Sequence, residues 1–294
     1  MIVVITHIIG GLGNQMFQYA AGRALSLRKN TELRLDISGF ASYGLHQGFE
    51  LQRVFTCPAV IASDSDINRV LGWQSKPIIR RLMTRQRFAK FRRDAFAVEP
   101  HFYYWPKMDD LKTDCYLSGY WQSEKYFADV AAQIRIDFAF RKLMNLRNAD
   151  FAEKIQQGNA ISLHVRRGDY ANNPKTTAAH GLCSLEYYKS AIQYVINKVD
   201  QPCFYIFSDD PTWVRENIEI DFPSHYVDHN KGEESYNDMR LMSMCKHHII
   251  ANSSFSWWGA WLNPSPDKIV IAPQKWFAKE TNTRDLIPQD WIRL

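Results

Sequence analysis

The sequence predicts an α/β protein of two domains, each a parallel sheet covered by helices. Three observations carry this reading. Short β-branched or apolar runs alternate with longer helix-like segments along the 294 residues. The first run leads through a glycine-rich turn into a helix, the entry expected of a doubly wound sheet. The cadence is clean over 159–272 and irregular over about 41–150, where aromatic and basic residues are frequent. This puts the division near 150–158, in "NADFAEKIQQGN", and gives expected domains of 1–150 and 151–294. With 46% hydrophobic residues the chain can fill two cores.

Taken in order, residues 2–8, 32–36, 160–165, 203–207, 247–251 and 268–272 read as strands. The opening run lacks a basic leader and a small-residue cleavage site, and it is too short to span a bilayer, so it reads as a buried strand. The helix after it carries Phe17, Ala20, Ala21, Ala24 and Leu25 on one face. The stretch "IIRRLMTRQRFAKFRR" (78–93) holds seven cations and no acid. It reads as an amphipathic helix, either solvated with its apolar side on the core or resting on anionic lipid or a phosphorylated acceptor. The segment 184–199 reads as a helix with Ser184 as N-cap, and "YNDMRLMSMC" (236–245) as another.

The net charge of +5 favours anionic ligands weakly and falls short of a nucleic-acid-binding profile. Cys57, Cys115, Cys183, Cys203 and Cys245 form an odd set without CxxC spacing, which suggests neither a disulfide framework nor a zinc site. Reduced thiols in a cytoplasmic compartment are expected.

In open parallel sheets ligands bind beyond the carboxyl ends of strands, and four such ends carry chemistry. In "IIGGLGNQMFQYA" (8–20), Gly10, Gly11 and Gly13 permit a tight turn and a close backbone approach, and the helix starting near Asn14 aims its N–H groups there. The alternatives are a structural turn or a dinucleotide site with Asp36 on the ribose, although Met16 stands where a third glycine belongs. In "HVRRGDY" (164–170), Arg166 shares a strand face with His164, Arg167 lies on the opposite face, and Asp169 can orient an arginine or accept a proton. An arginine fork suits a leaving diphosphate. In "CFYIFSDDPTW" (203–213), Asp209 and Asp210 fit helix capping and an arginine partner at least as well as Mg²⁺, so no metal is expected. In "IIANSSFSWWGAWL" (249–262), Asn252, Ser253, Ser254, Phe255 and Ser256 open a helix suited to a second phosphate contact. Trp257, Trp258 and Trp261 read as core or, alternatively, as a sugar platform. Asp238 is either solvated or able to accept hydrogen bonds from the guanine edge.

The stretches "GGLGNQMFQYA", "HVRRGDY", "SDD" and "NSSFSWWGAWL", in this order over nearly the whole chain, resemble those of the bacterial α1,2-fucosyltransferases, inverting enzymes of glycosyltransferase family 11. The resemblance implies a GT-B-like fold of two facing Rossmann-type domains and metal-independent transfer of L-fucose from GDP-fucose to the 2-hydroxyl of a galactose-terminated glycan. It places the donor site in the C-terminal half. By the same likeness Arg166 holds the β-phosphate, His164 lies near the nucleotide, Asp238 reads guanine, and Ser253 to Ser256 touch the diphosphate. The glycine turn closes over the donor with Asn14 near the reacting sugar. No acid follows in "ANNPKTT" (171–177), so Asp169 is the motif's nominee for the base. Two other classes compete: an NAD-dependent oxidoreductase using Gly11, Gly13 and Asp36, and a noncatalytic carbohydrate-binding module using the nine tryptophans.

Overall fold

The computed structural model describes residues 3–42, 47–58, 60–112, 114–168 and 181–294. Two compact units result: residues 1–141 with 282–286, and 142–281 with 287–294. The stretch 150–158, where the sequence suggests a boundary, lies largely in a helix of the second unit, Leu146–Gln157. Residues 282–286 belong with the first unit because Asp285 accepts hydrogen bonds from the Tyr104 amide at 3.1 Å and the Lys125 ammonium at 2.6 Å.

The first unit contains β1 (Val3–His7), α1 (Leu12–Arg28), β2 (Glu32–Asp36), α2 (Leu51–Val54), β3 (Val60–Ile61), α3 (Asp64–Leu71), α4 (Pro77–Met83), β4 (Phe96–Val98), β5 (Cys115–Ser118) and α5 (Ala131–Asp137). Its five strands are parallel in the order β3-β2-β1-β5-β4. Phe17, Ala20, Ala21, Ala24 and Leu25 of α1 are all fully buried, as the apolar face requires. The basic stretch 78–93 is not one helix. It breaks after Met83 and continues as a 3-10 turn over Gln86–Phe91. The Arg92 guanidinium folds back onto the carbonyls of Met83 (2.6 Å), Thr84 (3.3 Å) and Arg85 (3.2 Å), satisfying acceptors that a helix end leaves open.

The second unit contains α6 (Leu146–Gln157), β6 (Asn159–Val165), α7 (Leu185–Ile196), β7 (Pro202–Ser208), α8 (Pro211–Asn217), β8 (Ser224–Val227), α9 (Tyr236–Met244), β9 (His247–Ile249), α10 (Ser254–Leu262), β10 (Val270–Ala272) and β11 (Ile292–Arg293). The parallel order β8-β7-β6-β9-β10-β11 is that of a dinucleotide-binding sheet counted from its first strand, 3-2-1-4-5-6. β6 is buried along six of its seven residues, as a central strand covered on both faces must be. Ser184 caps α7 by accepting from the Tyr187 amide, as its place before the apolar pattern predicts. Trp257, Trp258 and Trp261 are buried against one another and Trp291, with ring centroids 5.0–6.2 Å apart, so they are core. Among the described residues no helix is long and apolar enough to cross a membrane.

Candidate functional site

Each sheet has a switch point where chain order reverses, and a ligand crevice is expected at the carboxyl ends of the strands flanking it. In the second unit the flanking strands are β6 and β9. Arg166, Arg167 and Gly168 follow β6, and Asn252 to Ser256 follow β9.

The Arg166 guanidinium meets Asp209, just beyond β7, at 3.1 Å, and the other oxygen of that carboxylate accepts from the Arg167 amide at 2.8 Å. One acid at the end of the neighbouring strand thus anchors the fork of Arg166 and the backbone of Arg167, while the Arg166 side chain stays about 28% exposed. Gly168 lets the turn approach this carboxylate closely: a Cβ would come within 2.9 Å of it, and Asp209 would have to shift. Arg167 stacks instead on Trp213, 3.8 Å from the ring centre. Asp210 caps α8 by accepting from the Trp213 amide at 3.2 Å. The adjacent acids therefore have the arginine-partner and capping jobs that their position suggested.

His164 is 6% exposed, and burial pulls its pKa down to about 4, so it is neutral at pH 7. Its Nδ1 has no hydrogen-bond partner among the described residues, and its ring lies 6.1 Å from that of Phe255. A buried ring nitrogen without a partner is a place for a ligand group. Asn252 is tied into the protein, accepting from the Cys183 thiol and donating to the Trp276 carbonyl at 3.1 Å. Ser253 caps α10 through the Phe255 amide, and the buried Ser256 hydroxyl turns back to the Ser253 carbonyl. Ser254 stands half-buried in the first turn.

Asp238, on α9, accepts from Asn230 at 2.8 Å, and Asn230 also pairs with Asn148 in both directions at 2.9 and 3.0 Å. Burial raises the Asp238 carboxyl to about 7. α9 packs against α10 where Gly259 leaves room for Met242; a Cβ there would come within 2.9 Å. Asp169 and the rest of 169–180 lie outside the described residues.

In the first unit the switch point lies between β1 and β5. Gly10 has φ +80, which only glycine adopts without strain, and a Cβ would fall 2.7 Å from the Asn14 amide nitrogen. Gly11 is the N-cap of α1 and Gly13 lies in its first turn. The Asn14 carbonyl oxygen accepts from Gln122, beyond β5, at 2.7 Å, so one hydrogen bond spans the two strand ends. Glu99, directly after β4, accepts from the Tyr120 and Trp121 amides at 2.8 and 3.0 Å, and burial raises its carboxyl to about 7.

Glu99 and Gln122 escape sequence reasoning because β4 and β5 are only three and four residues long. The one signal available is an acid immediately after "FAV". Asp36 is closed to a ribose. It is 1% exposed, accepts from Tyr116 at 2.5 Å and the Ser38 amide at 2.9 Å, and pairs with Arg80 at 2.9 Å. A separate cavity of about 490 Å³, lined by Ser38, Asn68, Ser75, Lys76 and Arg80 among others, contains none of the expected site residues.

Glu99 and Asp238 make stability depend on pH in a defined sense. Each carboxyl is raised to about 7 in the folded chain, so between the unfolded value near 4 and pH 7 the folded state holds protons that the unfolded state has released. Their contribution falls as pH rises through that window. The thermal midpoint of Glu99→Gln is expected to drop less between pH 5 and pH 7.5 than that of the parent protein, by roughly the weight of one such proton. Equal slopes in scanning calorimetry contradict the assignment.

Comparison with known proteins adds the following. The profile of the family described as Glycosyl transferase family 11 matches residues 83–294. Alpha-1,2-colitosyltransferase of Escherichia coli is 36% identical, with 100% of this chain and 99% of that protein covered. O-antigen biosynthesis glycosyltransferase WbnK of Escherichia coli is 36% identical, covering 97% and 98%. Galactoside alpha-(1,2)-fucosyltransferase 1 of Leontocebus fuscicollis is 25% identical over 60% of this chain and 51% of its own length. Among solved structures, fucosyltransferase NodZ from Bradyrhizobium superposes with a TM-score of 0.58 at 16% identity, covering 90% and 93%. NodZ alpha-1,6-fucosyltransferase soaked with GDP-fucose gives 0.57. The fold class is thus the expected one, α/β and GT-B-like, with two Rossmann-type units.

Proposed function

The chain belongs to glycosyl transferase family 11, and on that premise we propose that it moves L-fucose from GDP-fucose to the 2-hydroxyl of a terminal galactose in surface glycan synthesis, with inversion. The observation that carries the reading is the second unit's switch point. There a partly exposed arginine fork braced by Asp209, a His164 nitrogen with no partner among the described residues and the first turn of α10 lie at or beyond the ends of β6 and β9.

The galactose oxygen attacks the anomeric carbon, the bond to the β-phosphate oxygen breaks, and its electron pair leaves with GDP. Arg166 and the N–H groups of α10 stabilise that growing charge, with Ser254 beside them. Asn252 contributes by holding the loop. This chemistry assigns charge stabilisation to protein groups, so full turnover is expected in the presence of a chelator. The proton of the hydroxyl needs an acceptor. Asp169 is the nominee by motif. A pH–rate profile tests it: Asp169→Asn removes the acidic limb if Asp169 is the base. Asn14, an amide, orients and does not deprotonate.

Asp238 is proposed to accept from the N1–H and amine of guanine, which requires its ionised form. Affinity for GDP is therefore expected to fall on acidification below about pH 7, by up to tenfold per unit, because binding must first remove the proton. Asp238→Asn weakens binding and flattens this dependence. A pH-independent affinity in calorimetry of the parent protein counts against Asp238 as the guanine reader.

A second reading of the sugar is favoured by the 36% identity to alpha-1,2-colitosyltransferase over the whole chain. Colitose is fucose without its 3-hydroxyl. A pocket that hydrogen-bonds this hydroxyl rejects the deoxy sugar strongly, whereas an apolar pocket discriminates weakly. Turnover of both nucleotide sugars with galactose-terminated acceptors, and product linkage by NMR, tests donor and acceptor together. The reading also includes a peripheral membrane contact through residues 78–93.

A further inference from the structure

We propose that the surface built by residues 72–93 docks the protein on a bilayer carrying anionic phospholipid headgroups, through three apolar tips set among unpaired cations. This deepens the peripheral contact of the proposed function and does not depend on which sugar is transferred.

Trp73, Ile78 and Phe91 are 55%, 78% and 66% exposed, a high value for each of these side chains in water. They are held together by the fold. The buried Gln74 amide donates to the Phe91 carbonyl at 2.6 Å and accepts from the Arg93 amide at 3.2 Å, which ties the turn bearing Trp73 to the turn bearing Phe91. Arg92 fastens that second turn to the end of α4. The inner side of the same elements is anchored in the core by Ile79, Met83 and Phe88. Ile78 and Arg81 lie at helical spacing on α4 and are exposed, as is Arg85 beyond its end.

The charge is one-sided. No acid occurs between Asp66 and Asp94. Arg80 is committed to Asp36 and Arg92 to backbone carbonyls, but Lys76, Arg81, Arg85, Arg87, Lys90 and Arg93 are exposed and make no ion pair among the described residues. Exposed apolar and aromatic side chains interspersed with exposed cations match the boundary between acyl chains and anionic headgroups: the tips enter, the cations stay at the phosphates. A nucleic acid would use the cations and leave Ile78 without a partner. An acidic protein would not need the tips to enter hydrocarbon.

The full chain is tested by flotation with vesicles of phosphatidylcholine plus phosphatidylglycerol and with phosphatidylcholine alone, at low and high salt. Binding to the anionic vesicles, weakened by salt, is expected. Each cation near such a surface contributes about fivefold to partitioning, so Arg81→Glu with Arg85→Glu is expected to lose more than about twentyfold. Phe91→Ser with Trp73→Ser is expected to lose vesicle binding at unchanged charge, which separates insertion from electrostatics. Transfer to a soluble acceptor stays unchanged in both variants. The proposal is overturned by equal binding to both vesicle types, by no binding to either, or by binding that the serine variant retains in full. A nucleic acid that displaces the protein from anionic vesicles at matched charge also overturns it. In each of these cases soluble-acceptor turnover reports separately on the transferase reading.

Discussion

Arg166→Ala is expected to lower turnover of GDP-fucose by at least about 10²-fold while the thermal midpoint stays within a few degrees, because removing one preorganised donor from a developing anion costs this much in comparable sites. The side chain is partly exposed and its partner Asp209 is itself accessible, so truncation leaves no deeply buried charge. Arg166→Lys is the sharper variant. A point charge cannot both meet Asp209 at 3.1 Å and present a planar pair of donors to a phosphate, so lysine is expected to fail almost as badly. Asp209→Asn should lose less, since the fork keeps its charge and loses only its brace. Steady-state kinetics with GDP-fucose decides. Full activity of the lysine variant would mean that charge alone matters at this position.

Trp257→Ala is expected to destabilise the fold by about 3–5 kcal/mol, the loss typical of a fully buried aromatic residue replaced by alanine. Trp257 is fully buried, with Trp258, Trp261 and Trp291 around it at 5.0, 6.2 and 5.4 Å. The contents of the cluster settle a choice that the sequence leaves open: a sugar platform would have to expose a ring face. Urea denaturation should show the loss, and KM for the acceptor should be unchanged in whatever protein remains folded. A raised KM at unaltered stability would restore the platform reading.

Local interactions explain what was legible. Ser184 and the helix behind it, the buried face of α1 and the strand β6 are set by contacts within a few residues, so period and capping residues reveal them directly. The polar ends of β6, β7 and β9 were legible for the same reason: a buried apolar run that stops at His-x-Arg-Arg, Ser-Asp-Asp or Asn-Ser-Ser marks its own carboxyl end. The short strands β4 and β5 were not, because three or four residues carry no period and exist as strands only by pairing with their neighbours. The basic stretch misled for a related reason. Its apolar spacing suits one helix, but Arg92 reaches back to the carbonyls at the end of α4 and the chain turns there.

By itself, then, the sequence determined the alternation of strand and helix, the parallel α/β class and the residues waiting at four strand ends. Only the tertiary structure decided what those and other polar groups do. Asp36 stands at the right distance along the chain for a ribose, yet Tyr116, eighty positions away, and Arg80 occupy it. Asp209 braces Arg166, and Glu99 meets the turn after β5, because β7 adjoins β6 and β4 adjoins β5. Periodicity and caps depend on neighbours in the chain, whereas the partner and proton affinity of a buried polar group depend on which strands lie side by side and how much water they exclude.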